Sequence, residues 1–248
     1  DRKFWYKPGE QDSPWLQEGE EKFFSVDTSD PFVGSNTPVL STDGSSEASL
    51  FQKGLGIRAG IDVVGHIVLK ASGNKISADV SLSWGTGANE SVKVSLVDLN
   101  PGYKSYPLAF KIPVTSKDVT LSITTRGMGK VWIGTVSLMP SDNIEGFRAD
   151  VLALLRELNS PVYRWPGGNF VSGYDWRDGI GDRDKRPPRK NPAWLGVEHN
   201  DVGIHEFMRF CELINTEPYI AVNAGLGDNT MARQEVEYCN GPAGTPMG

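Results

Sequence analysis

With 248 residues, 38% of them hydrophobic and 23% charged, the chain has the composition of a folded globular protein rather than a disordered one. The net charge of −6 argues against a nucleic-acid partner, because phosphate binding needs clustered Lys and Arg. No apolar run approaches the roughly 20 residues of a membrane helix, so no membrane partner is expected.

Residues 1–42 are rich in turns and aromatics (Phe4, Trp5, Tyr6, Trp15, Phe23, Phe24, Phe32) and read as an irregular segment. Residues 43–140 read as strands. Ile76, Ala78, Val80, Leu82 and Trp84 alternate with Ser77, Asp79, Ser81 and Ser83, the period-two pattern of a strand with one buried face. Val92, Val94 and Leu96 repeat it, as do Val119, Leu121 and Ile123. Further strands are expected near 55–62, 66–71, 106–113 and 131–138. Gly73-Asn74, Gly85-Thr86-Gly87 and Asn100-Pro101-Gly102 are expected to turn the chain between antiparallel strands. Many short strands at this spacing predict a β-sandwich, with a jelly roll as the variant. Such a sandwich could bind sugar as carbohydrate-binding modules do. Trp84 is in phase with its strand's apolar set and is expected in the core, whereas Trp132 is out of phase with Val131 and Ile133 and is the better candidate for a displayed ring. Asn89-Glu90-Ser91 is a glycosylation sequon, a weak pointer to secretion, so an extracellular location is expected with an intracellular one left open.

A boundary near Pro140 separates this part from residues 141–248, where the period changes. Phe147, Val151, Leu154, Leu155 and Leu158 fall at helical spacing, and Pro161 closes that helix. A strand, 162–165, follows. Ile204, Phe207, Met208, Cys211 and Ile214 form a second stripe, residues 219–223 a second strand, and 230–238 a third helix. Helix, strand, loop, helix, strand suggests a parallel sheet, in which loops after the carboxyl ends of strands carry the chemistry. Arg164 and Asn169 are site candidates from that position alone. Cys211 falls on an apolar helix face and reads as a buried small hydrophobe, and neither it nor Cys239 has metal-ligand spacing, so neither a metal nor a cofactor is expected. The run Arg183-Asp184-Lys185-Arg186-Pro187-Pro188-Arg189-Lys190 reads as a solvated loop. Asp175 and Asp178, with Arg177 between them, read as an ion-pair arrangement rather than a catalytic dyad. Glu198 and His199 sit in a polar loop, where His199 could reach sugar hydroxyls but more simply makes local hydrogen bonds.

The stretch Arg164-Trp165-Pro166-Gly167-Gly168-Asn169-Phe170-Val171-Ser172-Gly173-Tyr174-Asp175-Trp176-Arg177-Asp178-Gly179-Ile180-Gly181 resembles the loop after the second barrel strand in family 51 glycoside hydrolases, the α-L-arabinofuranosidases. The resemblance continues through Asn191-Pro192-Ala193-Trp194-Leu195-Gly196 and Glu217-Pro218-Tyr219-Ile220-Ala221-Val222-Asn223 to Val236-Glu237-Tyr238-Cys239-Asn240. It covers 146–248 in register. It implies that 141–248 are part of a (β/α)8 TIM barrel, strands two and three, and that 1–42 follow strand one. It also implies a retaining enzyme that releases terminal arabinofuranose from arabinan, arabinoxylan or their oligosaccharides by double displacement. Retention needs two carboxyl groups about 5 to 5.5 Å apart. In this family both lie after later strands, so no catalytic residue is expected in the chain, which reads as truncated at both ends. The rest of the same polypeptide, or a second chain, is expected to complete the barrel, and 1–248 alone are not expected to close a stable α/β domain. The resemblance carries over a sugar-binding wall: Asn169 to hydrogen-bond furanose hydroxyls, Arg164 to orient carboxylates through its planar fork, Trp194 to line the pocket, and Asn223 as a weaker rim candidate. A non-catalytic carbohydrate-binding protein and an endo-glucanase of the same family are the alternatives.

Overall fold

The computed structural model describes residues 14–87, 89–191 and 197–247. Phe4, Trp5, Tyr6 and Trp194 lie outside them. The chain divides into two compact units, Asp1–Gly146 and Phe147–Gly248.

The first unit is a β-sandwich built from strands β1 (Leu16–Glu18), β2 (Phe24–Asp27), β3 (Thr37–Asp43), β4 (Ala48–Ile57), β5 (Val63–Ser83), β6 (Ser91–Leu96), β7 (Lys104–Phe110) and β8 (Ser116–Pro140). Where the sequence predicts separate strands on either side of Gly73-Asn74, the structure has one strand of 21 residues, and β8 likewise runs unbroken for 25. The two pair antiparallel from Val63 with Pro140 to Ser83 with Thr120, with register shifts at Val68/Leu69 and Asn74/Ser77. One half of this pair is flanked by β4 and β6 and the other by β3 and β7, so the same two strands contribute to both layers. The bend between the halves is a waist of glycines. Gly73, Gly127 and Gly129 have φ of +144°, +95° and +152°. A Cβ on Gly127 would lie 2.2 Å from the Lys75 carbonyl oxygen, and one on Gly73 would lie 2.2 Å from that of Met128. Glycine therefore marks a bulge and a close backbone approach here, not a chain reversal. Of the other two punctuation sites, the one after β5 reverses the chain into β6, whereas Asn100-Pro101-Gly102 does not: β6 and β7 both run antiparallel to β5, one beside each half, so the chain passes on along β5 in the same direction.

Between the layers the alternation expected from sequence is buried: Leu50, Leu69, Val80, Leu108, Ile123 and Ile133 are all within 2% of full burial. Each such side chain contributes about 1.5–3 kcal/mol of burial free energy. Trp84 is half-buried against this core. Asp79 faces outward as its phase requires, yet is only 8% exposed, because Arg126 and Lys93 close over its carboxylate. The segment before residue 43, expected to be irregular, supplies β1 to β3, all paired into the sandwich. Its strands are short and interrupted by Asp and Gly turns, so no period-two run is long enough to read.

In the second unit, α1 (Ala149–Leu158) leads to β9 (Val162–Trp165), and α2 (Ile204–Ile214) leads to β12 (Glu217–Ile220), which pairs parallel with β9. Between them are 3-10 turns at Gly168–Gly173, Trp176–Gly179 and Arg183–Lys185 and a two-strand ribbon, β10 (Arg189–Lys190) with β11 (Val197–Glu198). α3 (Asn229–Asn240) follows, its start capped by the Asp228 carboxylate, which accepts from Met231 N–H at 2.7 Å. α1 and α2 both end on an asparagine in the left-handed conformation, Asn159 and Asn215. The expected stripe of α2 is buried at Ile204, Phe207, Cys211 and Ile214. That of α1 is not. Leu152 is buried instead, while Leu154 and Leu158 are 66% and 67% exposed. The face of α1 that is used is the one tied to α2, by Phe147 against Phe210 at 5.8 Å and by Arg156 donating to the Leu213 carbonyl at 2.7 Å.

Candidate active site

The strand β9 presents two unlike faces. Tyr163 and Trp165 turn toward the helix layer, where Trp165 stacks on Phe207 at 5.6 Å and meets Tyr174 edge-on at 5.5 Å. Val162 and Arg164 occupy the opposite, exposed face, and Arg164 sits in register with exposed Tyr219 of β12. After Trp165 a cis peptide to Pro166 and the glycines Gly167 and Gly168 end the strand. The following 3-10 turn holds Asn169 exposed at the carboxyl end of the sheet. The structure thus places Arg164 and Asn169 where chemistry collects in parallel α/β arrangements.

Asn223 sits differently. It is 4% exposed, and its amide is committed: the NH2 group donates to the Tyr174 carbonyl at 3.0 Å, and the side-chain oxygen accepts from Gly225 N–H at 3.1 Å and Gly227 N–H at 3.0 Å. With Leu226 N–H donating to the Ser172 carbonyl at 2.9 Å, it laces the loop after β12 to the loop after β9. Asn223 is therefore behind the rim, holding the loop that carries Asn169.

The basic run is not simply solvated. Arg186 is 4% exposed and forks onto Glu206 of α2, with both contacts at 2.9 Å, while also donating to the carbonyls of Gly181 and Asn200 at 2.9 Å. Burial opposes ionisation of Glu206, but the Arg186 guanidinium and the Gly203 N–H outweigh it and hold the carboxyl at about 2. Through this pair, residues Gly181, Arg186 and Asn200 are fixed to α2. A run of alternating charges and prolines gives no hint of which guanidinium turns inward, and the capping glutamate three residues into α2 is the only sequence sign of the partner. The aspartates are ion-paired as their spacing suggested: Asp175 with Arg177 at 2.8 Å, and Asp178 with Arg189 at 2.7 Å. Beside the ribbon, Glu198 accepts from Asn200 N–H at 3.0 Å, and His199 is half-buried between them.

Sequence reasoning missed Glu235. It is 2% exposed on α3, and no protein group hydrogen-bonds its Oε1. Burial, and then the Asp175 charge, push its carboxyl up to about 7. The folded chain therefore holds a proton that the unfolded chain releases between pH 4.5 and 7. Stability falls across that window as pH rises and stays lower above it. Glu235→Gln is expected to stabilise this unit at pH 8 by about 1–3 kcal/mol and to flatten the dependence, read by melting at pH 5 and pH 8. Glu235 also lines a groove of about 660 Å³ between α2, β12 and α3. Pro218 and Ile220, which share that groove, belong to the helix-facing side of β12, so it is not the place where Arg164 and Asn169 stand.

Residues 154–248 match the family model described as the alpha-L-arabinofuranosidase 1 domain. A probable alpha-L-arabinofuranosidase C of Aspergillus clavatus is 53% identical over 106 residues, 43% of this chain and 21% of the relative. The intracellular exo-alpha-(1->5)-L-arabinofuranosidase 1 of Bacillus subtilis is 47% identical over 106 residues, covering the same shares. Among solved structures, the Thermotoga maritima alpha-L-arabinofuranosidase in complex with arabinose is 47% identical over 42% of this chain and 22% of its own, with a TM-score of 0.41. The chain spans about a fifth of the length of the curated relatives it matches. Residues 154–248 of the second unit are thus similar to a segment of alpha-L-arabinofuranosidases, among them a solved family 51 enzyme of Thermotoga petrophila.

Proposed function

We propose that the polypeptide carrying this segment is a retaining α-L-arabinofuranosidase that releases terminal arabinofuranose from arabinan, arabinoxylan or their oligosaccharides. The observation that supports it most is the close match of 154–248 to arabinofuranosidases, with its longest motif forming the loop at the carboxyl end of β9. In this reading Asn169 and Trp194 contact the furanose and Arg164 orients carboxylates, while Asn223 positions the loop from behind. Two carboxyl groups about 5 to 5.5 Å apart, one nucleophile and one acid/base, come from parts of the polypeptide beyond these residues. The sequon at Asn89 favours an extracellular setting, whereas the Bacillus subtilis relative is named intracellular.

The test is hydrolysis of an aryl α-L-arabinofuranoside by the whole polypeptide, with inactivity on every furanoside overturning the proposal. Asn169→Ala is expected to lower kcat/KM by about 100-fold, since a hydroxyl contact that strengthens in the transition state contributes roughly 3 kcal/mol. An effect confined to KM would mean that Asn169 holds the ground state and the transition state equally.

A further inference from the structure

We propose that the sandwich carries its own binding site for a neutral saccharide, built around Trp132 on the outer face of the layer that contains β3 and β7. The inference does not depend on the catalytic reading of the other unit. Val131 and Ile133 on either side of Trp132 are fully buried, so the strand's alternation turns the indole outward, where it is half-buried. It is also held rigidly. Its Nε1–H donates to the Asp27 carboxylate at 2.7 Å, and that carboxylate is itself fixed by the Ser29 hydroxyl at 2.7 Å and the Ser29 N–H at 2.8 Å. Lys70, the direct cross-strand neighbour of Trp132, lies with its ammonium 4.6 Å from the indole centroid and 4.8 Å from that of Tyr103, and pairs with Asp30 at 2.7 Å. Tyr103 in turn packs on Phe32 at 5.1 Å and donates to the Asp30 carbonyl at 3.0 Å. A cavity of about 500 Å³ opens beside this cluster, lined by Trp132, Lys70, Ser72, Ile76, Leu99 and Pro101.

The chemistry selects the ligand class. An indole that cannot rotate away suits the C–H face of a sugar ring, at small entropic cost, on the side that the Lys70 ammonium does not cover. Lys70 with Asp30, and Ser72, offer donors and acceptors to hydroxyls. Asp30 neutralises Lys70, and the one charge left over is the Asp27 carboxylate on the indole N–H, so the site has nothing to draw a phosphate or a carboxylate. The cavity volume falls within the range of small-ligand sites and exceeds what a water cluster needs.

The experiment is calorimetric titration of the 248-residue chain with arabinohexaose and with xylohexaose, alongside the indole N–H resonances of the same ¹⁵N-labelled protein. At least one hexaose is expected to bind and to shift the Trp132 indole signal. Trp132→Ala is expected to weaken that binding about tenfold or more, equivalent to 1.4 kcal/mol, and Trp132→Phe less. The double variant Arg164→Ala, Asn169→Ala should leave it unchanged, which separates this site from the candidate active site. Should Trp132→Ala fail to fold, the shift of the wild-type indole signal still decides. No binding by either hexaose at millimolar concentration, an unmoved Trp132 signal, full affinity in a folded Trp132→Ala, or loss only in the double variant would each overturn the proposal.

Discussion

Replacing Arg186 by Met is expected to lower the stability of the α2 region by about 3–5 kcal/mol at pH 7, the usual consequence of leaving one member of a buried ion pair without its partner. Arg186 is 4% exposed and is the hub of contacts to Glu206, Gly181 and Asn200, so its loss strands several carbonyls as well as the carboxylate. The effect should depend on acid. The Glu206 carboxyl is lowered to about 2, so its contribution is present above the unfolded value near 4.5 and disappears as pH falls through about 2. The gap between wild type and variant should therefore narrow in that window. Hydrogen exchange of the α2 amides in the full chain measures it. Arg186→Lys, which keeps the charge but loses the fork, should fall between the two. Equal protection of all three proteins would remove Arg186 from its role as the tie between loop and helix.

Gly127→Ala is expected to destabilise the sandwich by about 3 kcal/mol or more, against about 1 kcal/mol for Gly54→Ala. Both glycines have positive φ, +95° and +76°, so the backbone cost of adding a Cβ is similar. They differ in space. Nothing lies within 4 Å of a Cβ at Gly54, whereas at Gly127 the Lys75 carbonyl oxygen would be 2.2 Å away, and backbone cannot move aside as a side chain can. Chemical denaturation followed by the core tryptophans compares them directly. Similar losses at the two positions would mean that the waist between β5 and β8 has room for a Cβ.

How much of this was legible from sequence depended on which physical signal each element carried. Period-two alternation around Val80 and helical spacing around Phe207 report burial on one face, and both unit types follow from them. Gly73 was ambiguous, because a glycine at positive φ serves a turn and a bulge equally. Only pairing across the full length of β5 and β8 tells the two apart. The stripe through Leu154 and Leu158 shows the opposite limit, since periodicity says that a face is apolar but not that a neighbour covers it. At the candidate site, Arg164 and Asn169 were readable from their place after a strand and from the motif they belong to, and they stand exposed at that end of the sheet. Asn223 belonged to a matching motif too, but its inward orientation depends on where Tyr174 and Gly227 come to lie. Arg186 and Glu235 carried no local mark of burial, for their surroundings are assembled from segments far apart in the chain.

The tie made by Asn223 has a bearing on how tightly a ligand can be held. Two loops that were free to fluctuate separately would have to become ordered when a sugar arrived, and that loss of freedom would subtract from affinity. Because one buried amide joins them during folding, the two loops are already arranged, and under the proposed function association with a sugar should proceed with little adjustment of the backbone.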